Sequence, residues 1–192
     1  MGTTQPIRDR TELKNFSNYY KDVEPKPRNY ALVVLGLNTA LRISDLLSLK
    51  WETVYDFQSG RFREHLLVCE HKTGKRNYVA INTKAKEALN WYMEERNPSP
   101  DEFLFSKNTD RHRPICPSQA YRIVKKAAKS TTSDEFISCH SLRKTFGYQA
   151  WQQGVQPALL MDVFNHSSYR VTKRYLGIEQ DEKDAIYLKI NL

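Results

Sequence analysis

The sequence predicts an α+β fold, a mostly helical domain with one small three-stranded antiparallel sheet. Apolar residues recur at helical spacing along most of the 192 residues. Between residues 53 and 82 the pattern changes to three short runs rich in β-forming residues, separated by "QSGR" and "KTGK", which are typical of turns. No internal repeat or long linker interrupts the chain, so residues 1–192 are expected to form one domain.

The helices are predicted from apolar spacing and from the residues that start and stop helices. In chain order they are "RDRTELKNFSNYYKD", Asn29 to Thr39, "ISDLLSLKW", "NTKAKEALNWYMEER", "PSQAYRIVKKAAKS", Ser141–Gln153, Gln156–Phe164, Tyr169–Leu176 and a short tail helix. Asn82 or Thr83 is expected to cap the fourth helix, because its side chain can accept from a free N–H group of the first turn. Residues 1–27 are expected to form an N-terminal helix and linker, and residues 181–192 the tail.

The charge and composition of the chain indicate which class of molecule it binds. The formal net charge is +8, and the basic residues cluster in "HKTGKR", "DRHRP", "IVKKAAK" and "SYRVTKRY". A localised cationic surface favours a polyanion, most often nucleic acid. The three cysteines show no CxxC spacing, which argues against a disulfide framework and a zinc site and favours the reducing cytoplasm. No stretch approaches the roughly 18 apolar residues of a membrane span, and no secretory signal is visible.

Three charged side chains stand out where helices are predicted to begin. Arg42 lies among apolar neighbours at a helix junction, where a salt bridge with Asp45 is the purely structural explanation. His140 and Arg143 share one face in the first turn of a helix, where free N–H groups and the helix dipole favour an anion. An arginine can donate to two phosphate oxygens at once, although a His-x-x-Arg pair is common by chance.

Three further candidates lie in loops or short elements. His166, between two helices, can exchange a proton near neutral pH, and its alternative is a surface position. Tyr175 stands beside Lys173 and Arg174, whose charges are expected to favour ionisation of the phenol; its alternative is a core aromatic. Lys72 lies in a predicted β-turn, where a lysine is usually solvated but can approach a nucleic-acid backbone.

In order and spacing, these six residues resemble the tyrosine recombinase (phage integrase) family. "ALRISDLLSLKW" resembles its first arginine box, "HKTGKRNYVAI" its lysine hairpin, "HSLRKTFG" its His-x-x-Arg box and "FNHSSYRVTKRYL" its final His-to-Tyr segment. The resemblance covers nearly the whole chain from about residue 28 and implies the catalytic fold of that family.

The chain departs from the family pattern at three points. Ala40 stands where the family usually has glycine, and Asn165 replaces the glycine of Leu-Gly-His. Asparagine tolerates the left-handed conformation, so that turn is expected to survive. Typical members also carry a separate helical DNA-clamping domain, whereas only about 27 residues precede the resemblance here. We therefore expect an isolated catalytic domain or a short member similar to the fimbrial phase-switch invertases, with no N-terminal core-binding domain.

The resemblance implies cleavage of a DNA phosphodiester by a tyrosine. Arg42 and Arg143 would hold the non-bridging oxygens and stabilise the five-coordinate transition state. Tyr175 would attack phosphorus, giving a covalent 3′-phosphotyrosine and a free 5′-hydroxyl. Attack by the 5′-hydroxyl of another strand would reverse the reaction, and two exchanges through a Holliday junction would recombine two sites.

The resemblance also assigns the proton transfers. Lys72 would be the general acid for the departing 5′ oxygen, His140 would assist proton transfer at Tyr175, and His166 would hydrogen-bond the scissile phosphate. Charged side chains would take the place of a metal, and the phosphotyrosine would conserve the bond energy. The resemblance therefore implies no metal and no other cofactor.

Double-stranded DNA is the implied partner, in a bacterial, phage or mobile-element cytoplasm without a membrane. Phosphate contacts are expected from seven basic residues: Lys75, Arg76, Lys125, Lys126, Lys129, Arg170 and Lys173. Binding through them would weaken steeply with salt. Tyr148 and Tyr169 fall outside the nucleophile position and are expected to be structural or to contact phosphate.

Four protomers on two synapsed sites are implied, with a monomer or dimer in the absence of DNA. The tail has an apolar face formed by Ala185, Ile186, Leu188 and Ile190. This face is expected to pack either on a neighbouring protomer or on its own domain.

Three other functions remain open at this point. A type IB topoisomerase would use the same constellation but rejoin the original strand. A catalytically silent DNA-binding protein would not need a suitable residue at every reacting position, whereas this chain has one at each of them. An RNA-binding module ranks lower, because the chain has neither an RNP-like aromatic strand nor a GXXG loop.

Overall fold

The computed structural model describes residues 4–70 and 74–190, and within them it confirms a mostly helical α+β domain. The first half contains α1 (Arg10–Asn18), a π-helical turn (Tyr19–Val23), α2 (Pro27–Asn38), α3 (Ile43–Leu47), α4 (Trp51–Val54) and the strands β1 (Tyr55–Asp56), β2 (Arg61–Phe62), β3 (His65–Cys69) and β4 (Arg76–Ala80). The second half contains α5 (Thr83–Arg96), α6 (Pro117–Thr131), α7 (Cys139–Gln152), α8 (Pro157–Phe164), α9 (Tyr169–Leu176) and α10 (Glu179–Lys189).

The strands differ in arrangement from the single three-stranded sheet that the sequence predicts. In the described residues they form two antiparallel two-stranded sheets, β1–β2 and β3–β4. The chain bends at residues 63–64, between β2 and β3. There the backbone of Arg63 bonds to Val54, whereas that of Glu64 bonds to Ile81. These two adjacent residues thus hydrogen-bond to different parts of the chain, and this divides the strands into two sheets.

Helix α2 is the central element of the domain. Its run "YALVVLGL" is buried on nearly every side, because α2 packs on α5 and on α7. Gly36 permits a close approach to α7, since a Cβ there would lie 2.6 Å from Cδ1 of Leu142. The helix ends next to Ala40, so the packing of α2 fixes where Arg42 begins α3.

The N-terminal helix packs on the rest of the domain. Phe16 of α1 is fully buried, and Tyr20 in the π-helical turn is 2% exposed. The Tyr20 hydroxyl donates to the carbonyl of Ile123 in α6 at 2.9 Å. Asn82 caps α5 through its side chain, which confirms one of the two predicted capping positions.

The apolar core is divided into two clusters. A large cluster joins α1–α7 with the β3–β4 sheet. The small cluster is C-terminal and consists of Ala40, Tyr148, Leu160, Phe164, Leu176 and Ile178. Gly147 lets α7 cross this small cluster, because a Cβ there would lie 2.5 Å from both Leu176 and Phe164. Helix α7 therefore carries residues of both clusters.

The described part of the chain contains no helix long and apolar enough to cross a membrane.

Candidate active site

The candidate site lies where α3, α7 and α9 meet the turn between α8 and α9. Arg42 is the N-cap of α3, His140 and Arg143 lie in the first turn of α7, and Tyr175 lies near the end of α9. His166 lies in the turn between α8 and α9. The structure thus brings together these five predicted residues. Lys72 lies outside the described residues.

Arg143 is the most buried side chain of the site, with 3% of its surface exposed. Its Nη1 donates to the carbonyl of Ala40 at 2.6 Å and its Nη2 to the carbonyl of Phe164 at 2.8 Å. The guanidinium also lies 4.9 Å from the centroid of the Phe164 ring. These contacts fix its plane from two sides, and its positive charge acts to lower the pKa of the Tyr175 phenol.

Two non-glycine residues next to the site have positive φ angles, Ala40 at 54° and Asn165 at 53°. Asn165 ends α8 in the left-handed conformation, which confirms the prediction for the Leu-Gly-His position. Ala40 adopts the same region although its Cβ costs about 1–2 kcal/mol there. The strained Ala40 carbonyl is the one that accepts from Arg143. The local backbone strain therefore orients a side chain of the site.

Arg42 forms an ion pair that the sequence did not indicate. Its Nη1 lies 2.7 Å from Oε2 of Glu70, and Glu70 is 1% exposed. The same carboxylate oxygen accepts from Nδ2 of Asn165 at 3.4 Å, and Oδ1 of Asn165 accepts from Lys75 at 2.7 Å. These bonds link α3, the β3–β4 hairpin and the α8–α9 turn. An acid that follows the alternating strand "HLLVC" was the available signal for Glu70, because its side chain is on the inner face.

His166 is neutral at physiological pH in this environment. Burial lowers its pKa to about 4, and the charges of Arg143 and Arg42 act in the same direction. Its Nδ1 lies 3.1 Å from the hydroxyl of Thr172, and its ring stands edge-on to Tyr175 with centroids 4.9 Å apart. A neutral imidazole can hydrogen-bond an anion without adding charge.

The positive charges of Arg143 and Arg42 also act on His140. Burial lowers its pKa, and Lys144, Arg143 and Arg42 lower it further. A neutral imidazole can accept a proton.

The environment of Tyr175 differs from the expectation based on its sequence neighbours. Burial raises its pKa, and the charges that oppose this are Arg143 and Arg42 rather than the adjacent Lys173 and Arg174. Lys173 instead pairs with Glu182 at 2.8 Å. The helix directs residues 173 and 175 to different sides, which sequence adjacency cannot reveal. The phenol is therefore protonated at neutral pH and has to lose its proton during any attack.

The basic residues predicted to contact phosphate differ in their local contacts and exposure. Lys126 lies 2.6 Å from Glu24, and Lys125 donates to the carbonyl of Glu135. Lys129 and Arg170 are exposed. Tyr148 belongs to the small cluster, and Tyr169 is 43% exposed. The DNA contacts of all these residues stay predictions.

Among the described residues, no group of three His, Cys, Asp or Glu side chains is placed to hold a metal ion.

Because the pKa of His166 is lowered in the folded chain, the free energy of unfolding is expected to depend on pH. The unfolded chain titrates at its ordinary pKa of about 6.5, and the folded chain near 4. As the pH falls from 6.5 to 4, the unfolded state binds the proton first, so the free energy of unfolding decreases. His166→Gln is expected to lose less stability over this range, measured by urea unfolding at pH 7.5, 6 and 5. His65→Gln, on the exposed face of β3, is the control, and equal losses for wild type and His166→Gln would contradict the prediction.

The comparisons with known proteins agree on one family. The model of the phage integrase family matches residues 9–182. The probable integrase/recombinase YoeC of Bacillus subtilis strain 168 is 37% identical over 187 residues, which cover 97% of both chains. The type 1 fimbriae regulatory protein FimE of Escherichia coli K12 is 28% identical, over 86% of this chain and 82% of FimE. A tyrosine recombinase of Pseudothermotoga lettingae is 30% identical, and the chain spans 53% of it.

Solved structures share the fold. The crystal structure of XerA recombinase has a TM-score of 0.76 at 19% identity, covering 99% of this chain and 66% of XerA. XerH site-specific recombinase bound to a palindromic difH substrate, in a post-cleavage complex, has a TM-score of 0.75 at 19% identity. It covers 96% of this chain and 53% of the XerH chain.

Proposed function

The chain belongs to the phage integrase family of tyrosine recombinases, and on this premise we propose that it cuts and rejoins specific DNA sites through a 3′-phosphotyrosine. Two exchanges through a Holliday junction would complete recombination. One observation carries the proposal. The Phe164 ring lies 4.9 Å from the guanidinium of Arg143 and 5.4 Å from the ring of Tyr175. The charges of Arg143 and Arg42 act on the Tyr175 phenol, so a nucleophile and two phosphate-binding cations share one site.

The chemistry of the first step follows from this arrangement. The Tyr175 oxygen forms a bond to phosphorus while the bond from phosphorus to the 5′ oxygen breaks. Arg42 and Arg143 stabilise the charge on the non-bridging oxygens. His140, whose lowered pKa keeps it neutral, accepts the phenol proton. Lys72 supplies the proton that the leaving 5′ oxygen takes up.

His166 donates to the phosphate in this scheme. When the Thr172 hydroxyl donates to Nδ1 of His166, the neutral ring carries its proton on Nε2. Nε2 can then donate a hydrogen bond to a phosphate oxygen. None of these steps requires a metal or a cofactor, and the reaction belongs in the cytoplasm, where the chain meets DNA.

Nicked duplexes of randomised sequence test the proposal, because the cleaved end diffuses away and traps the covalent complex. A covalent band with one recurring captured sequence is expected. Bands without sequence preference would favour relaxation of the type IB topoisomerase kind. DNA binding without any band would favour a silent DNA-binding protein.

Binding to DNA is expected to depend steeply on salt, because each neutralised phosphate releases counterions. Lys129→Ala should reduce the slope of log K against log salt by about 1. Lys126→Ala is the matched control on the same helix, since Glu24 already offsets its charge and its loss should change the slope less. Fluorescence anisotropy at several salt concentrations around the physiological value measures the slopes. A flat response of the wild type would contradict phosphate contacts by these residues.

Assembly on DNA is proposed to use the tail. Helix α10 has no buried residue, and Ile186, Leu188 and Ile190 are 59%, 86% and 59% exposed. This supports packing on a neighbouring protomer, within a tetramer on two synapsed sites and a monomer or dimer without DNA. Burying one such side chain stabilises an interface by roughly 1.5–3 kcal/mol.

A chain that ends at Asp184 tests the role of the tail, because it keeps Asp181 and Glu182 with their ion pairs. We expect its assembly on paired sites to weaken by at least about tenfold in sedimentation velocity. Leu188→Ser should act in the same direction and Lys183→Ser, on the same helix, should not. Unchanged assembly of the shortened chain would contradict packing between protomers.

A further inference from the structure

The N-terminal segment Thr4–Arg8, called the strap below, runs along α7 beside the candidate site. The N–H of Ile7 donates to the hydroxyl of Thr145 at 2.8 Å, and Ile7 is 2% exposed. The side chain of Gln149 donates to the carbonyls of Ile7 and Arg8 at 3.2 and 3.3 Å. The strap is thus anchored on the helix that carries His140 and Arg143.

Arg8 extends from the strap to the corner between α9 and α10. Its Nη2 donates to the carbonyl of Gly177 at 2.8 Å, and its Nη1 donates to both carboxylate oxygens of Asp181, at 3.0 and 2.9 Å. Gly177, with a φ of 72°, ends α9 two residues after Tyr175. A Cβ on Gly177 would lie 3.3 Å from Nη2 of Arg8, so glycine leaves room for this contact.

The chemistry of these contacts suits the end of a helix. The last carbonyls of α9 carry partial negative charge, which a guanidinium offsets. The carboxylate of Asp181, in the first turn of α10, is held by the same fork. Arg8 also lies 4.9 Å from the ring centroid of Tyr148, which positions it over the small cluster. One side chain therefore joins the end of α9 to the start of α10.

Lys144 provides a second link between the strap and the nucleophile. Its Nζ donates to the carbonyl of Thr4 at 2.7 Å and lies 5.2 Å from the centroid of the Tyr175 ring. Such a distance is within the range of a cation–π contact. One end of the strap is thus linked to the Tyr175 ring through Lys144, and the other end contacts the C-terminal end of α9 directly through Arg8.

We propose that the strap positions the nucleophile, with Arg8 as the positioning residue that fixes the α9–α10 corner and thereby the Tyr175 phenol against Arg143. The inference rests on the proposed function, because it deepens the role of Tyr175. The same contact sets the direction in which α10 leaves the domain. A segment or partner that pulls the strap away would therefore reduce cleavage without touching a reacting group.

Stability alone does not account for the arrangement of Arg8. Its side chain is 42% exposed, and exposed ion pairs contribute little to folding. Helix α10, which it holds, buries no residue of its own. Removing the contact should free the corner while the large core stays folded.

The test compares Arg8→Ala, Asp181→Asn and their double variant in the full chain. Amide hydrogen exchange of the peptide covering residues 176–182 is expected to become about tenfold faster in each variant. Single-turnover cleavage of a nicked duplex is expected to slow about tenfold, because a small misplacement of a nucleophile is costly. DNA affinity and the melting temperature should change little. The double variant should be no slower than the slower single variant, because both remove one contact.

Two further variants serve as controls. Arg8→Lys keeps the charge but not the fork, so it should restore only part of the cleavage rate. Arg10→Ala removes an arginine at the start of α1, two residues after the strap, which lines a cleft with Leu13 and Phe146, and it should leave exchange and cleavage unchanged.

Unchanged exchange at residues 176–182 in Arg8→Ala would overturn the inference, whatever the cleavage rate. Cleavage that falls only in proportion to DNA affinity or melting temperature would also overturn it, since a purely structural role predicts that pattern. If the wild type forms no covalent complex, the proposed function fails, and the exchange data still decide whether the strap fixes the corner.

Discussion

Replacement of Tyr175 by phenylalanine is expected to abolish the covalent DNA complex, lowering cleavage by at least about 10⁴-fold. The change removes only the phenol oxygen, which is the proposed attacking atom. The ring keeps its contacts with Phe164 and His166, whose centroids lie 5.4 and 4.9 Å away. Folding and DNA affinity should therefore stay near those of the wild type. The readout is the covalent band on a denaturing gel with a nicked duplex.

Two other tyrosines of the same region provide matched controls. Tyr148→Phe loses a hydroxyl that accepts from Gln152, and Tyr169→Phe loses one near the surface. Both variants should retain the covalent band. A band with Tyr175→Phe, or a DNA-linked peptide that maps to either of the other tyrosines, would refute the assignment.

Replacement of Arg143 by lysine is expected to reduce both cleavage and stability. Loss of the guanidinium fork at a developing anion should slow cleavage by about 10²–10³-fold. The buried carbonyls of Ala40 and Phe164 lose well-placed donors, which should lower the free energy of unfolding by about 1–3 kcal/mol. Single-turnover cleavage and urea unfolding measure the two effects separately.

Arg42→Lys separates phosphate binding from structural support, because Arg42 forms an ion pair and does not bridge two backbone carbonyls. A lysine can still neutralise the carboxylate of Glu70, so cleavage should fall by a similar factor while stability falls less. Arg174→Lys, an exposed position beside Tyr175, should leave both quantities unchanged. Cleavage by Arg143→Lys at the wild-type rate would contradict the phosphate-binding role.

The sequence predicted most helices and the gathered side chains, but the single helix expected over "ISDLLSLKW" ends at Leu47, and Trp51 begins a separate helix. Helix α9 has the predicted bounds, Tyr169–Leu176, because Ser168 caps it and Gly177 ends it, and both signals are local. Arg42, His140, Arg143, His166 and Tyr175 were found through motifs, which reflect the geometry of a shared fold. The strand arrangement was missed because the division of the sheet depends on which distant backbone groups Arg63 and Glu64 contact.

Contacts between distant segments could not be predicted from one sequence. The pairs Arg42–Glu70 and Arg8–Asp181 join residues 28 and 173 positions apart. The raised pKa of Tyr175 results from burial by packed helices, whereas the sequence showed only its two basic neighbours. Local patterns thus indicate candidate reacting groups, and tertiary packing decides their protonation and the contacts that hold them.

The division of the core into two clusters affects how much active enzyme a folded population contains. Arg42 and Arg143 lie on elements that contribute to the large cluster, whereas Tyr175 lies on α9 and His166 in the α8–α9 turn, beside the small one. A small cluster buries less apolar surface, so we expect α8–α10 to detach at a lower free-energy cost than global unfolding. Molecules in this open state keep both arginines but lack a nucleophile in place. The concentration of protein able to cleave DNA would then be set by the fraction of molecules in which α8–α10 are packed in place, rather than by the folded fraction.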